Sequence, residues 1–88
     1  GNSSAMTNIG WLYRNGWGVT HDYTEALKWY RKAADIGNSS AMTNIGSLYH
    51  DGKGVTQDYT EAMKWFRKAA DIGESSAMNW IGWLYEYG

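Results

Sequence analysis

An all-α stack of helical hairpins is the fold class this 88-residue sequence predicts, and three observations predict it. The chain repeats itself at a strict period of 36 residues. Each half of a unit carries apolar residues at the spacing of one helix face. Glycines sit between those halves, where chains turn. Residues 1–36 read GNSSAMTNIGWLYRNGWGVTHDYTEALKWYRKAADI, and residues 37–72 repeat them with only seven changes. Residues 73–88, GESSAMNWIGWLYEYG, begin a third copy that matches the second at ten of its 16 positions. Such a period is the signature of an array whose units cover one another's apolar faces. We therefore read residues 1–88 as one repeat domain: repeat one (1–36), repeat two (37–72) and a half repeat (73–88). The predicted order is five helices, A-B-A-B-A.

The first helix of each unit, the A helix, is expected from about Ser3 to Asn15. At about 100° per residue, Ala5, Met6, Ile9, Leu12 and Tyr13 fall on one side. Ser4, Thr7, Asn8, Trp11, Arg14 and Asn15 fall on the other, which is expected to face outward. Asn2 or Ser3 can cap the start, because a short side-chain oxygen accepts an orphan backbone N–H there. Gly16 can stop the helix in the left-handed conformation that glycine adopts at little cost.

The second helix, B, is expected from about Tyr23 to Asp35. Asp22 and Glu25 have capping-box spacing, with Asp in the Ser/Thr role. Tyr23, Ala26, Leu27, Trp29, Tyr30, Ala33 and Ala34 share an apolar face. Thr24, Glu25, Lys28, Arg31, Lys32 and Asp35 share the polar one. Gly37 closes the helix and opens the next unit. Small residues (Gly10, Ala26, Ala33 and Ala34) allow backbones to approach where helices cross.

These residues resemble the Sel-one-like repeat (SLR), a relative of the tetratricopeptide repeat. The resemblance rests on Ala5, Ile9-Gly10, Tyr13, Gly16, Gly18-Val19, Asp22, Ala26, Trp29, Ala33-Ala34 and Gly37. It recurs at Ala41, Ile45-Gly46, Tyr49, Gly52, Gly54-Val55, Asp58, Ala62, Trp65, Ala69-Ala70 and Gly73. The half repeat keeps Ala77, Ile81-Gly82, Tyr85 and Gly88. The resemblance implies a right-handed, tetratricopeptide-like superhelix with A helices lining its concave side. It also implies a non-catalytic role as an adaptor or scaffold for other proteins. The near-identity of the copies is the pattern of an engineered, idealised or recently duplicated array.

Composition narrows the function further. Eight basic and nine acidic residues give a net charge of -1 and no basic stripe, which argues against nucleic acid as a partner. No stretch approaches the ~20 apolar residues of a membrane span, and the start of the chain lacks the pattern of a signal peptide; compartment is not indicated. There are no cysteines. His21 and His50 have no partner at metal-ligand spacing, so no metal or other cofactor is expected. Gly52-Lys53-Gly54-Val55-Thr56 lacks the spacing of a phosphate loop, and repeat one has Trp17 in place of Lys53. Asn2-Ser3-Ser4 and Asn38-Ser39-Ser40 fit a glycosylation acceptor, but helix capping accounts for them. No nucleophile and base suggest chemistry, so the chain is not expected to be an enzyme. Lys28, Arg31 and Lys32, with Lys64, Arg67 and Lys68, read as a solvated face.

What differs between copies points to the working surface. In the half repeat, Thr43 becomes Asn79, Asn44 becomes Trp80, Ser47 becomes Trp83, His50 becomes Glu86 and Asp51 becomes Tyr87. All five lie in the outer sector of the A helix. Asn8, Trp11, Asn15, Asn44, Ser47 and Asp51 are therefore the expected contacts for a protein or peptide. Trp80, Trp83 and Tyr87 form a one-sided aromatic stripe, whereas a terminal repeat ordinarily shows a polar outer face. Met78, Ile81 and Leu84 of the same helix lack a following B helix to cover them. These six residues are the expected interface of a homo-oligomer, most simply a two-fold dimer, with exchange of hairpins between chains as a variant. The alternative is a self-assembling structural module without an external ligand.

Overall fold

The computed structural model describes residues 2–87. It contains five α-helices among them, α1 (Asn2–Asn15), α2 (Tyr23–Asp35), α3 (Ser39–Asp51), α4 (Tyr59–Asp71) and α5 (Ser75–Tyr87). Helix α1 starts one residue before the expected Ser3, and α2 has the expected limits.

The start and stop signals act much as their chemistry requires. Asn38 caps α3, its side-chain oxygen accepting from the Ala41 N–H at 2.9 Å. Asp22 caps α2 by accepting from the Glu25 N–H at 3.1 Å, and Asp58 repeats this on α4 with Glu61 at 3.0 Å. The reciprocal half of the expected capping box is not made. The Asp22 N–H donates instead to the Tyr13 carbonyl at 2.9 Å, and Asp58 does the same to Tyr49. That bond ties the start of each B helix to the end of its own A helix, fixing the hairpin. Gly52 ends α3 with φ +68°, and Gly16 has the same φ at the end of α1.

Helices α1 and α2 form one hairpin and α3 and α4 the next, with α5 seated against α4. The result is a slab of 37 × 27 × 17 Å. Its core draws alanines and large residues from the four successive helices α2 to α5: Ala26, Tyr30, Ala33, Ala41, Ile45, Leu48, Ala62, Phe66, Ala69 and Ala77 are fully buried. Close crossing within a hairpin depends on one glycine per A helix. A Cβ on Gly10 would stand 2.8 Å from the Tyr30 ring, and one on Gly46 would stand 2.5 Å from the Phe66 ring. No methyl group fits at either distance, so glycine lets the aromatic ring of the B helix lie on the A-helix backbone.

Candidate protein-binding surfaces

The A helices lie beside one another along one side of the slab. Three polar side-chain contacts join neighbouring A helices and their caps there. Asn38 Nδ2 approaches Ser3 Oγ at 3.4 Å, Ser39 Oγ donates to Glu74 at 2.8 Å, and Arg14 Nη1 donates to Asn44 Oδ1 at 2.8 Å. From the B side, Arg31 donates to the Tyr49 hydroxyl and Arg67 to the Tyr85 hydroxyl.

The two A–A junctions are built differently at equivalent positions. At the first, Arg14 meets Asn44, and the Tyr30 ring lies beneath. The Tyr30 Oη is buried without a well-formed hydrogen bond among the described residues. Burial pushes its phenol above the ordinary value of 10.0, while the neighbouring Arg14 charge and a poorly aligned hydrogen bond from it pull the other way. At the second junction the same three positions are His50, Trp80 and Phe66. Trp80 stacks on Phe66 with centroids 5.0 Å apart and an 8° interplanar angle, and His50 lies 5.0 Å from Trp80 and 5.5 Å from Trp83. Changes that look independent in sequence therefore meet in space. A polar layer in one junction is replaced by an aromatic layer in the next.

The expected partner-binding residues divide. Asn8, Trp11, Asn15 and Asp51 are exposed. Trp11 holds Trp17 edge-on at 4.9 Å, Asn15 Nδ2 donates to the Trp11 carbonyl, and Asp51 Oδ1 lies 2.9 Å from His50 Nδ1. Asn44 is half-buried and occupied by Arg14 and the Ser40 carbonyl. Ser47 differs from expectation: it is only 6% exposed and its hydroxyl donates to the Asn44 carbonyl, so it offers nothing to a partner. Thr7 and Thr43, on the side expected to face outward, are buried too, with their hydroxyls turned back to the Ser3 and Ser39 carbonyls. The outer sector is thus narrower than a single-helix projection gives, because neighbouring A helices cover its edge.

The expected interface residues divide as well. Leu84 is buried against α4 beside Ala62 and Phe66, so it belongs to the chain's own core and not to an open surface. Trp80 and Ile81 are half-buried in the same cluster. Trp83 (46% exposed), Tyr87 and Met78 are open. Trp80 and Trp83 line a shallow groove of about 460 Å³ with His50, Ser76 and Asn79, and Tyr87 extends the aromatic strip past Trp83 at 5.5 Å. His50 and Lys53 were not among the expected contacts. His50 anchors that groove, and Lys53 sits 5.6 Å over the Tyr23 ring of the preceding repeat.

This architecture defines a helical-hairpin repeat protein whose conspicuous surfaces are apolar and aromatic. The Sel1 repeat family model matches residues 3–38, 39–74 and 75–88, and the chain belongs to that family, whose members are generally non-catalytic protein-interaction scaffolds. Known structures agree. A Sel1 repeat protein from Oxalobacter formigenes superposes with a TM-score of 0.91 at 40% identity, covering 94% of this chain and 34% of that one. A protective antigen of uropathogenic Escherichia coli with an SLR fold gives 0.82 at 45% identity, covering 85% and 16%. Helicobacter pylori cysteine-rich protein B gives 0.82 at 28% identity, covering 88% and 58%. The chain thus spans about a third of the first of these relatives and a smaller part of the second. No curated protein matches the sequence significantly.

Proposed function

We propose that this chain is a protein-binding scaffold that associates with itself through α5. The observation that carries the reading is the exposure on that one helix of Met78, Trp83, Tyr85 and Tyr87, four large side chains in 13 residues. Burying one such side chain contributes about 1.5–3 kcal/mol against an association cost of about 4–15 kcal/mol, so a two-fold contact requires several of them to be buried together. Trp80, Trp83 and Tyr87 supply the aromatic strip, with Met78 and Ile81 on the other flank. The exposed Asn8, Trp11, Asn15 and Asp51 remain available along the A-helix side for a different protein or peptide.

Light scattering and sedimentation across a concentration series test this. A concentration-dependent rise from monomer to dimer is expected. The double substitution Trp83→Ser with Tyr87→Asp, which restores the second repeat's residue types, should shift the transition to at least tenfold higher concentration without loss of helicity. A parent chain that stays monomeric at several hundred micromolar would remove the self-association.

A further inference from the structure

The two A–A junctions carry a basic residue at the same repeat position. In α1 it is Arg14, a guanidinium that stays charged across the ordinary pH range. In α3 it is His50, and imidazole is the side chain that ordinarily changes charge between about pH 5 and 8. The surroundings differ accordingly. Where the first junction has Asn44 and Ser47, the second has Trp80 and Trp83, and Tyr59 of α4 supplies a third ring. The centroids of Trp80, Trp83 and Tyr59 lie 5.0, 5.5 and 5.2 Å from that of the imidazole. These walls are themselves braced. Trp80 stacks on Phe66, and Trp83 stands edge-on to Trp80 at 77°. Gln57 Nε2 donates to the His50 carbonyl at 2.9 Å and to the Tyr59 hydroxyl at 3.2 Å. The His50 side chain is only 17% exposed, and its Nδ1 lies 2.9 Å from Asp51 Oδ1. A carboxylate only accepts, so the neutral ring carries its proton on Nδ1 and a second proton adds at Nε2.

We propose that protonation of His50 latches α5 onto α3, so that the second junction tightens in mild acid while the first does not. An aromatic face attracts a cation within about 6 Å of its centroid, and all three rings meet that distance. The Asp51 carboxylate adds a charge-assisted hydrogen bond to the same ring. Trp80 and Trp83 belong to α5, so their share of the gain exists only while α5 is seated. By linkage, the seat is then firmest with His50 charged and loosens as pH rises through the imidazole range. The cations on the surrounding elements are engaged elsewhere. Arg14 of α1 donates to Asn44, and Lys53 of the α3–α4 turn lies over Tyr23. On α4, Lys64 pairs with Glu61, Arg67 donates to Tyr85 and Lys68 lies over Trp65. Of the acids, Asp58 caps α4 and Glu74 accepts from Ser39 and Ser76. Glu86 is exposed one turn beyond Trp83 on α5, where its charge also favours a cation. The latch joins two helices of one chain, so it does not depend on self-association.

Amide hydrogen exchange of the full chain tests this, in dilute solution where sedimentation shows monomer. Protection is taken relative to the intrinsic rate at each pH, with α1 as the internal reference. Residues 75–87 should gain about threefold in relative protection at about pH 5.5 over about pH 8, the ratio of one cation–π contact at a partly exposed site. His50→Gln, which cannot take up the second proton, should abolish that gain. Thermal melts of this variant at the higher pH, where the parent ring is neutral too, verify its fold. Trp83→Ser leaves the histidine in place and removes one wall of the cage; it should reduce the gain even if His50→Gln proves unstable. Equal relative protection at the two pH values overturns the proposal, as does greater protection at the higher one. A gain that survives in His50→Gln also overturns it and assigns the effect to His21, the other histidine of the chain.

Discussion

Gly46 and Gly82 occupy the same position in the repeat, and the middle of helices of equal length, yet replacing each with alanine should have opposite effects. Alanine is favoured over glycine within a helix by about 1 kcal/mol, and that gain is common to both sites. The steric consequence is not. A Cβ at residue 46 would stand 2.5 Å from Phe66 Cε1 and 2.7 Å from Cδ1. The ring has little room to retreat, because it is fully buried and Trp80 stacks against it at 5.0 Å. Overpacking a tight core in this way costs about 1–3 kcal/mol. At residue 82 no such term arises, because a Cβ there meets nothing within 4 Å among the described residues. The propensity gain cancels in the comparison, so G82A should exceed G46A in stability by about 1–3 kcal/mol. For a domain of this size each kcal/mol moves Tm by about 4–8 °C, giving a gap of roughly 5–20 °C in melts followed by circular dichroism. Adding Phe66→Leu to G46A should recover part of its loss. Equal shifts for the two alanine variants, in either direction, would refute the claim that glycine at this position exists to seat the aromatic ring.

Tyr30→Phe removes a buried hydroxyl that lacks a well-formed partner, so it should be neutral or stabilising by up to about 1 kcal/mol, read by denaturant melts. The phenol is raised above 10.0 in the folded chain, so the stability it supports is complete below pH 10 and is lost as pH climbs through the folded value. The Phe variant should accordingly hold its Tm further into alkali than the parent. Gly52→Ala forces a left-handed residue with a side chain and brings its Cβ to 2.9 Å from that of Gln57; a loss of about 1–2 kcal/mol is expected from the conformation alone. Asn38→Ala deletes the α3 cap and should cost about 1 kcal/mol. Trp80→Asn restores the residue type of the second repeat and removes the stack on Phe66; it should loosen α5 selectively, seen as faster amide exchange in residues 75–87 than in α3.

The five helices were legible because period and helix phase are properties of single segments. Tyr23–Asp35 could be delimited from Asp22, its apolar spacing and Gly37 alone. What sequence could not give was the second neighbour of each A helix. A projection of α3 by itself places Ser47 and Thr43 on the open side, yet α1 and α5 flank that helix and close over both. Leu84 was misplaced for the converse reason: it looked uncovered for want of a following helix, but it faces backward onto Phe66. The linked exchange of Arg14, Tyr30 and Asn44 for His50, Phe66 and Trp80 spans residues up to 30 apart, and only the superposed units show that these positions touch.

Interchangeable units have a consequence for how the molecule finds its native state. The stripe on α1 and the stripe on α3 are identical, and α2 and α4 differ on their buried faces only at Leu27 against Met63 and Tyr30 against Phe66. Locally, α1 could therefore clasp α4 almost as favourably as it clasps α2. The native pairing is selected chiefly by the shorter tether, since closing a longer loop is entropically dearer by only a modest, logarithmic amount. Refolding should for that reason pass through mispaired species that must come apart before the correct neighbours meet, and a repeat with more divergent copies would escape that detour.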